Sequence, residues 1–290
     1  MGEKNFDIVQ KLTREQVSIR DQDYKSIASM IYHQTGINLG EGKRLMVQSR
    51  LNRRLKELGI GSFEEYVEYL NSEHMHVELP HFINSITTNK TDFFRENEHF
   101  NFLKREYLAN LKIKSNEMDK VHYFWSAACS SGEEVYTLAM VLDEYKAVNS
   151  LFDYRILGSD IDTSMLERAQ EGIYSREQVQ DVGPNYLQKY FKKIVRGKNS
   201  QYKIISQLRQ NLKFRQLNLI DKNQAMPLTF DVIFLRNVLI YFDRPTIQKV
   251  ITFLDIHLNK DGYLFVGHSE SLNGISHKLK SMGNAIYRKI

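Results

Sequence analysis

The stretch "VHYFWSAACSSGEEVYTLAMVLDEY", residues 121–145, decides the fold of this 290-residue chain. Its beginning is rich in aromatic and β-branched side chains, which predicts a strand, and its end has the pattern of a helix. Small residues join the two. A strand, a tight turn and a helix form the first unit of an open α/β sheet, and such sheets bind ligands beyond the carboxyl ends of their strands. The stretch therefore predicts a ligand-binding turn.

The chemistry of this turn favours a ligand with positive charge. It contains neither the G-x-G-x-x-G pattern nor the G-K-[ST] pattern that cradles phosphates. Glu133 and Glu134 stand at the predicted helix start, where they would repel a pyrophosphate. Cys129, the only cysteine of the chain, has no adjacent base in the sequence. We therefore expect it to be a small packing residue and not a nucleophile.

Strands and helices alternate after the opening unit. Strand patterns cover residues 154–162, 211–220 and 230–242, with a further strand at "DGYLFVGHSE" and another at "NAIYRKI". This alternation predicts a parallel, doubly wound α/β sheet. Residues of about 175 to 210, rich in Lys, Gln and Tyr, interrupt the alternation and predict an inserted subdomain. From Asp21 to about Asn84 the pattern is helical, with apolar faces at helical spacing.

Asp160 ends the second predicted strand, in "ILGSD". An acid there is placed to bind the hydroxyls of a nucleotide ribose, and it could equally cap the next helix. A nucleoside site with acidic residues and no phosphate cradle indicates S-adenosylmethionine. The alternative that stays open is an α/β domain with ordinary turn glycines and surface acids.

Composition and charge set broad limits. The chain is 42% hydrophobic with 4 Pro and 15 Gly, which suits one or two globular domains with real cores. A net charge of +5 allows nucleic acid, a membrane surface or an acidic protein as partner and selects none of them. One cysteine excludes an internal disulfide framework. We find no signal peptide and no window near the roughly 18 apolar residues of a membrane span, so we expect a cytoplasmic protein.

Five segments together resemble one family, the chemotaxis receptor glutamate methyltransferases of bacteria (CheR). They are "ITTNKTDFFRE", "SAACSSGEEVYTLAM", "GSDIDTSMLERAQEGIY", "FDVIFLRNVLIYFD" and "GYLFVGHSE", and they stand in the family's order within residues 21–290. The family's usual glycine in the first turn is Ala128 here, and the usual proline after the two glutamates is Val135. The resemblance implies transfer of a methyl group from S-adenosylmethionine to receptor glutamates, giving γ-glutamyl methyl esters and S-adenosylhomocysteine.

The resemblance also implies a domain organisation that agrees with the segment patterns. It predicts an N-terminal extension (1–20), an all-helical receptor-docking domain (21–85), and a linker that contacts the cofactor (86–118). A Rossmann-like methyltransferase domain (119–290) follows, with a small antiparallel β subdomain inserted at about 175–210.

The family's site residues carry over to matching positions. The implied cofactor contacts are Asn89, Thr91, Arg95, Glu133, Asp160, Asn218, Leu219, Leu235, Arg236 and Asn237. Arg95 and Tyr241 are expected to position the substrate carboxylate, although Tyr241 could also be a core tyrosine. The spacing of His268 and Glu270 does not distinguish a packing network from substrate contact. No group of residues has the spacing of metal ligands, so no metal is expected.

Two segments bear on the protein substrate. Arg50, Arg53 and Arg54 form a basic helix face that is expected to dock the acidic helical methylation region of a receptor, and a merely solvated face is the alternative. Some family members capture a receptor's C-terminal pentapeptide with a longer, glycine-containing loop of the insert. Here that loop is "VRGKNSQYK", with only Gly197. Methylation is therefore expected to depend little on a receptor tail.

Three rival functions compete with the methylation of receptor glutamates. A nucleic-acid methyltransferase would need an N-P-P-Y-type motif, but the corresponding strand end reads "RNVLIYF". A binding module without activity stays possible on sequence alone, although Asn89, Arg95, Glu133, Asp160 and Tyr241 are all present. A small-molecule carboxyl methyltransferase would not explain the basic helical domain.

Overall fold

The chain divides into two compact units, which meet in sequence between Thr87 and Thr88. The computed structural model describes residues 17–113, 120–196, 199–221, 224 and 226–290.

The first unit is helical, as predicted. Its helices are α1 (Asp21–Thr35), α2 (Arg44–Leu58), α3 (Phe63–Leu70) and α4 (Met75–Ile86), with a short 3-10 turn at Glu41–Lys43. The predicted apolar faces form its core, which includes Ile27, Ile31, Val47, Leu51, Leu55, Phe63, Tyr66 and Leu70. Gly59 ends α2 with φ at 72°, a left-handed conformation that costs glycine little.

The second unit begins with an irregular segment and then a helical stretch. That stretch comprises α5 (Glu98–Phe102), a π-helical turn at Leu103–Leu108 and α6 (Ala109–Ile113). The later helices are α7 (Glu133–Ala147), α8 (Thr163–Glu171), α9 (Pro184–Tyr190), α10 (Ser206–Arg209) and α11 (Arg244–His257). Among the described residues of both units, no helix combines the length and apolar character needed to cross a bilayer.

The described part of this unit contains ten strands. In chain order they are β1 (Val121–Ser126), β2 (Asp153–Asp160), β3 (Ile173–Ser175), β4 (Phe191–Arg196), β5 (Asn199–Ile204), β6 (Leu212–Gln216), β7 (Phe230–Leu235), β8 (Leu258–Val266), β9 (Leu279–Gly283) and β10 (Ile286–Lys289). Seven of them form one sheet in the order β6-β2-β1-β7-β8-β10-β9. The first five in that order are parallel, and β10 runs antiparallel to both of its neighbours. The order reverses at β1, which places the ends of β1 and β7 beside the switch point where open α/β sheets bind ligands.

The central sheet is covered on both faces, which confirms the doubly wound α/β prediction, although the sheet is mixed and not wholly parallel as predicted, because β10 is antiparallel to β8 and β9. Phe124 and Phe234 lie in one apolar cluster with residues of α7. Their strand neighbours Trp125 and Leu235 lie in the other cluster, with residues of α11. Alternate side chains of each strand therefore enter opposite layers, as the period of a strand requires.

The predicted inserted β subdomain is also present. Strands β3, β5 and β4 form a separate antiparallel sheet in that order. The register pairs Arg196 of β4 with Asn199 of β5. Gly197 and Lys198 connect these strands in sequence and lie outside the described residues, so the prediction about this loop stays a prediction.

The strand predicted over residues 230–242 is too long. β7 ends at Leu235, Asn237 has φ at 59°, and Leu239–Tyr241 form a 3-10 turn. The run looks like a strand because it is rich in apolar and aromatic residues. Its backbone turns because the Glu270 carboxylate accepts hydrogen bonds from the N–H groups of Asn237 and Ile240. A partner distant in sequence therefore decides this local structure.

Candidate functional site

The turn between β1 and α7 is bonded to the end of β2. The Ser130 N–H donates to Asp160 Oδ2 at 2.7 Å, and the Cys129 N–H donates to the Ser159 carbonyl at 2.9 Å. The other carboxylate oxygen of Asp160 accepts from the Asp162 N–H at 2.9 Å. These bonds hold the small-residue turn at the carboxyl edge of the sheet, where the sequence predicts a ligand.

Asp160 is buried, and its ionisation is made less favourable by that burial. Burial raises the pKa of its carboxyl to about 6, against the opposing effect of the backbone N–H groups that it accepts from. A carboxylate offers about four acceptor positions, so Asp160 retains acceptor capacity for ligand hydroxyls. It is bonded to the turn before the next helix, while Asp162 caps that helix through the Ser164 and Met165 N–H groups. The helix-cap alternative therefore belongs to Asp162.

Glu133 is the second buried acid of this edge. It is 1% exposed, and it accepts from the Ser131 hydroxyl at 2.7 Å and the Gln178 amide at 3.1 Å. Burial raises the pKa of this carboxyl as well. Within the described part of the chain, the hydrogen-bond donors to Glu133 and Asp160 are neutral groups, so neither negative charge is matched there by a bonded cation. Such a pair fits a ligand with positive charge and hydroxyl donors, as S-adenosylmethionine has, and disfavours a phosphate.

Glu134 has a different role from its neighbour in sequence. Its carboxylate accepts from Arg236 Nε at 2.6 Å and from the Ser126 hydroxyl at 2.7 Å. Glu134 is therefore half of a buried ion pair. Of the two adjacent glutamates, Glu133 is the one with a negative charge left for a ligand.

The guanidinium of Arg236 is bonded to groups inside the protein. Besides Glu134, it donates to the Arg95 carbonyl at 2.7 Å and lies 3.4 Å from Glu96 Oε2. Its charge lies over the rings of Phe100 and Phe234, with 5.3 and 5.6 Å to the centroids. The predicted contact of Arg236 with the cofactor stays a prediction. Because the guanidinium is bonded inside the protein, the main chain of Arg236 is the part left to make that contact.

Asn89 joins the linker segment to the same edge. Its side-chain amide donates to Asp162 Oδ2 at 2.7 Å, and its carbonyl accepts from the Ser130 hydroxyl at 3.0 Å. Thr91 is half-buried in the same segment. The structure thus brings Asn89 to the turn that holds Asp160, as the predicted shared site requires.

Arg95 lies between two residues with left-handed backbone, Phe94 with φ at 56° and Glu96 with φ at 53°. A bulky residue in that region is strained, and a hydrogen bond of 3.1 Å from the Phe94 N–H to Thr137 Oγ1 holds it there. The half-buried Arg95 side chain donates to the Lys90 carbonyl at 2.8 Å. The backbone around Arg95 is therefore fixed, while its guanidinium reaches the protein surface.

The end of β7 carries the remaining predicted residues of the central edge. Leu235 is fully buried, and Asn237 donates through its side chain to Glu96 Oε1 at 3.1 Å. Tyr241 closes the 3-10 turn, where its N–H donates to the Val238 carbonyl at 3.0 Å, and its ring is half-buried. Tyr241 is thus not a fully buried core tyrosine.

Asn218 and Leu219 follow β6 at the same edge. Leu217, which precedes them, donates from its N–H to the Asp160 carbonyl at 2.9 Å. The Asn218 side chain accepts from the Ile220 N–H at 3.2 Å, which is the local turn that asparagine favours. Leu219 is buried. Their predicted contact with adenine stays a prediction, consistent with this position.

One cluster lies outside the predicted site residues, and of its members the sequence singles out only His268, with packing and substrate contact both left open. Ligand atoms of Glu96, His99 and His268 all lie within 4.8 Å of one another. Burial lowers the pKa of His99 to about 4, and its Nε2 donates to the Asn284 carbonyl at 2.9 Å. The Arg236 guanidinium lies 3.4 Å from the other ring nitrogen, so a metal ion would have to share the cluster with a buried cation. Glu96 and Glu270 are likewise site residues to which the sequence assigns no definite role. Each ends one of the family-like segments, Glu96 in "FFRE" and Glu270 in "GHSE", and that position is the signal by which they could be found.

In the first unit, two of the three predicted docking arginines are engaged by the protein itself. Arg50 donates to the carbonyls of Ile86 and Thr87, both at 2.7 Å, at the end of α4. Arg54 forms a two-bond ion pair with the buried Glu78, at 2.9 and 2.6 Å. Both side chains therefore hold helices together.

Arg53 is the exposed member of the three. Its side chain is 87% exposed and pairs with Glu57 at 3.1 Å on the same helix. Because such a surface pair stabilises little, Arg53 can exchange it for another carboxylate. The predicted basic face is thus reduced mainly to Arg53 and the exposed lysines beside it, such as Lys56.

Comparison with known proteins identifies the two parts of the chain. Residues 22–87 match the family model described as "CheR methyltransferase, all-alpha domain", and residues 89–288 match "CheR methyltransferase, SAM binding domain". A chemotaxis protein methyltransferase of Borreliella burgdorferi is 38% identical over 94% of this chain and 96% of its own length. The chemotaxis protein methyltransferase of Escherichia coli is 37% identical over 94% of this chain and 92% of its own. Chemotaxis protein methyltransferase 2 of Pseudomonas aeruginosa is also 37% identical, over 92% of each chain.

Proposed function

The chain belongs to the CheR methyltransferase family, and from that premise we propose that it methylates glutamate side chains of chemotaxis receptors. The chain is a methyltransferase of chemotaxis that depends on S-adenosylmethionine. The acceptor and product are our proposal: the γ-carboxylate of a receptor glutamate becomes a methyl ester, and S-adenosylhomocysteine is released. We place this reaction in the cytoplasm.

The observation that carries the cofactor assignment is a pair of buried carboxylates, Glu133 and Asp160, to which no cation is bonded within the described residues. S-adenosylmethionine supplies an electrophilic methyl group on a positively charged sulfur. Glu133 would hold the positively charged part of this molecule, and Asp160 would accept hydrogen bonds from its ribose. The further proposed contacts are Asn89, Thr91, Arg95, Asn218, Leu219, Leu235, Arg236 and Asn237.

The protein needs no general base for the proposed reaction. A glutamate with a pKa of about 4.3 is already ionised at neutral pH. The chain must align this carboxylate with the methyl group and exclude water from it. We assign the alignment to Arg95 and Tyr241, which border the same edge of the sheet. Because the ionised glutamate needs no metal ion to activate it, the proposal includes no metal.

The proposed protein substrate is the acidic helical methylation region of a chemoreceptor. Exposed cations on α2, with Arg53 at their centre, would attract it. Arg50 and Arg54 would support that surface by holding the helices that present it. The proposal includes neither nucleic acid nor membrane insertion, and only a small dependence on a receptor tail.

The deciding experiment is methyl transfer from radiolabelled S-adenosylmethionine to membranes that contain a chemoreceptor. We expect label on the receptor that is released as methanol by mild base, as an ester requires. Receptor with its methylation-region glutamates replaced by alanine is the matched control and should stay unlabelled. Base-stable label, or preferential labelling of RNA or of a free carboxylic acid, would contradict the proposal.

The positioning roles have their own test. In a variant that combines Arg95→Ala and Tyr241→Phe, turnover at saturating S-adenosylmethionine should fall at least about 100-fold, beyond any weakening of cofactor binding by the loss of Arg95. Turnover near that of the wild type with intact cofactor binding would remove both residues from the mechanism.

A further inference from the structure

Glu270 is a buried carboxylate at the edge of the central sheet that carries the proposed active site. It is 6% exposed, and its N–H donates to the Gly267 carbonyl at 2.8 Å, which folds the residues after β8 into a turn. This turn directs the carboxylate back toward the end of β7. Because β7 and β8 are adjacent and parallel, their carboxyl ends meet at this edge.

The Glu270 carboxylate accepts three main-chain N–H groups from the two strand ends. Oε2 accepts from Gly267 at 2.6 Å and from Asn237 at 2.9 Å, and Oε1 accepts from Ile240 at 3.3 Å. Bonds from N–H groups to a charged acceptor are stronger than neutral ones. One side chain therefore accepts two N–H groups of the turn that leads from β7 to Tyr241 and ties them to the end of β8.

The turn depends on this acceptor because the N–H groups of Asn237 and Ile240 both donate to Glu270. Asn237 has φ at 59°, a left-handed conformation that asparagine adopts more readily than most residues. Its side chain is held separately, by a bond of 3.1 Å to Glu96. A Cβ built on Gly267 would lie 2.5 Å from Asn237 Nδ2 and 2.9 Å from Glu270 Oε2. The strand ends are thus too close for another residue at position 267.

The segment held by Glu270 presents two side chains at the site. Tyr241 is half-buried and is the proposed partner of the substrate carboxylate, and Ile240 beside it is 58% exposed. The bond from the Ile240 N–H to Glu270 lies one residue before Tyr241. A shift of the Glu270 carboxylate would therefore move the Tyr241 hydroxyl.

We propose that Glu270 is a positioning residue for methyl transfer, which fixes the left-handed turn at Asn237 and thereby the place of the Tyr241 hydroxyl. The role rests on the proposed function, since it concerns the same site. Glu270 does not touch the reacting atoms. It acts through the backbone that carries Tyr241, as a supporting residue behind the contacting one.

The test is a double-mutant cycle with Glu270→Gln and Tyr241→Phe. The amide keeps the shape but turns an NH2 group toward one of the N–H donors. We expect Glu270→Gln to lower kcat about 100-fold and to raise the Kd for S-adenosylmethionine by a smaller factor, below about tenfold, through the proposed contact of Asn237. In the Tyr241→Phe background the same change should cost less than about fivefold, because the hydroxyl that it displaces is gone. Effects that simply multiply would overturn the proposal, as would a wild-type kcat.

Two further measurements keep the test decisive. Ser271→Ala, which removes an acceptor of the Asn273 N–H in the same loop, is the matched control and should keep wild-type kcat. Amide hydrogen exchange at Asn237 and Ile240 should quicken at least about tenfold in Glu270→Gln, whatever the methyl acceptor is. If Glu270→Gln does not fold, Glu270→Asp replaces it, with the same expected cycle. A wild-type protein that labels no receptor would contradict the proposed function, whereas unchanged exchange at the turn would contradict the role of Glu270 alone.

Discussion

The guanidinium of Arg236 donates a hydrogen bond of 2.7 Å to the main-chain carbonyl of Arg95. The same buried side chain is bonded to Glu134 on α7 at 2.6 Å. One cation thus joins the first helix of the Rossmann-like unit to the strained segment that presents Arg95. The position of a proposed active-site arginine therefore depends on Glu134, whose carboxylate is bonded to Arg236 and Ser126.

Glu134→Gln should weaken folding, because it leaves the Arg236 charge buried without its carboxylate. We expect the free energy of unfolding to fall by about 3 kcal/mol, measured by urea denaturation at pH 8. Turnover should fall as well, since the Arg95 segment loses its support.

Glu133→Gln, one residue earlier on the same helix, is the matched control for Glu134→Gln. The pKa of Glu133 is raised in the fold, so its contribution to stability is present below about pH 4.3 and is lost as the pH rises through the raised pKa. At pH 8 the ionised carboxylate therefore destabilises the ligand-free protein, and its removal should leave stability unchanged or raise it. Equal losses in the two variants would contradict this division of roles.

Affinity for S-adenosylmethionine should depend on the ionisation of Asp160. Burial raises the pKa of this carboxyl to about 6. Above that pH the ionised carboxylate would accept the ribose hydroxyls as proposed, and below it the affinity should fall by up to about tenfold per pH unit. Calorimetric titration from about pH 5 to about pH 8 measures this.

Two variants show which carboxyl group sets the midpoint of that titration. Asp160→Asn should bind weakly with a flat profile, because the titrating group is gone. Glu133→Gln should keep a midpoint near 6, since it leaves Asp160 in place. A flat profile in the wild type would contradict the role of Asp160 at the ribose.

The architecture is predictable from the sequence wherever local pattern and topology agree. The strand at residues 121–126 and the helix after it have clear periods, and alternation along the chain is enough for a doubly wound sheet. The acids at strand ends can be placed at one edge for the same reason. The proximity of Asp160 to the opening turn therefore follows from the order of strands and helices alone.

The sequence pattern does not show the role of a residue whose bonding partner is distant in sequence. Glu133 and Glu134 are adjacent and chemically identical, and only the bond from Arg236 makes one structural. The sequence pattern extends the strand beyond Leu235 because the acceptor that bends the chain there, Glu270, lies far along the sequence. It places Arg54 on a surface because the buried Glu78 that pairs with it stands on another helix.

Cys129 should be inert. Its thiol is 1% exposed, and burial together with the nearby carboxylates of Asp160 and Glu134 raises its pKa well above the ordinary range. A buried thiol without thiolate character reacts slowly. We expect no labelling of the native protein by iodoacetamide, full labelling in denaturant, and turnover within about twofold of the wild type for Cys129→Ala. Rapid inactivation by the reagent would contradict the assignment.

Methylation should persist when the receptor's tail is removed. The β4–β5 connection is short in sequence, since the register already pairs Arg196 with Asn199. A short connection offers little edge for an added peptide strand. We expect a receptor truncated before its C-terminal pentapeptide to be methylated within about twofold of the full-length rate. Loss of methylation on truncation would show that the insert binds the tail after all.

Docking should depend on Arg53 and not on the charge of the helical unit in general. Arg53→Glu should raise the KM for receptor severalfold at low salt and leave the Kd for S-adenosylmethionine unchanged. The effect should shrink toward about 0.15 M salt, where screening acts over about 8 Å. Lys25→Glu, a charge reversal at an exposed position of α1, is the matched control.

Arg54→Ala separates docking from folding, because it leaves Glu78 buried without its partner. That variant should lose about 3 kcal/mol of stability, a loss that Arg53→Glu should not share. If Lys25→Glu raises the KM as much as Arg53→Glu does, the attraction is long-range and belongs to the net charge. A KM that moves only with Arg53 would instead place the acidic receptor helix against α2.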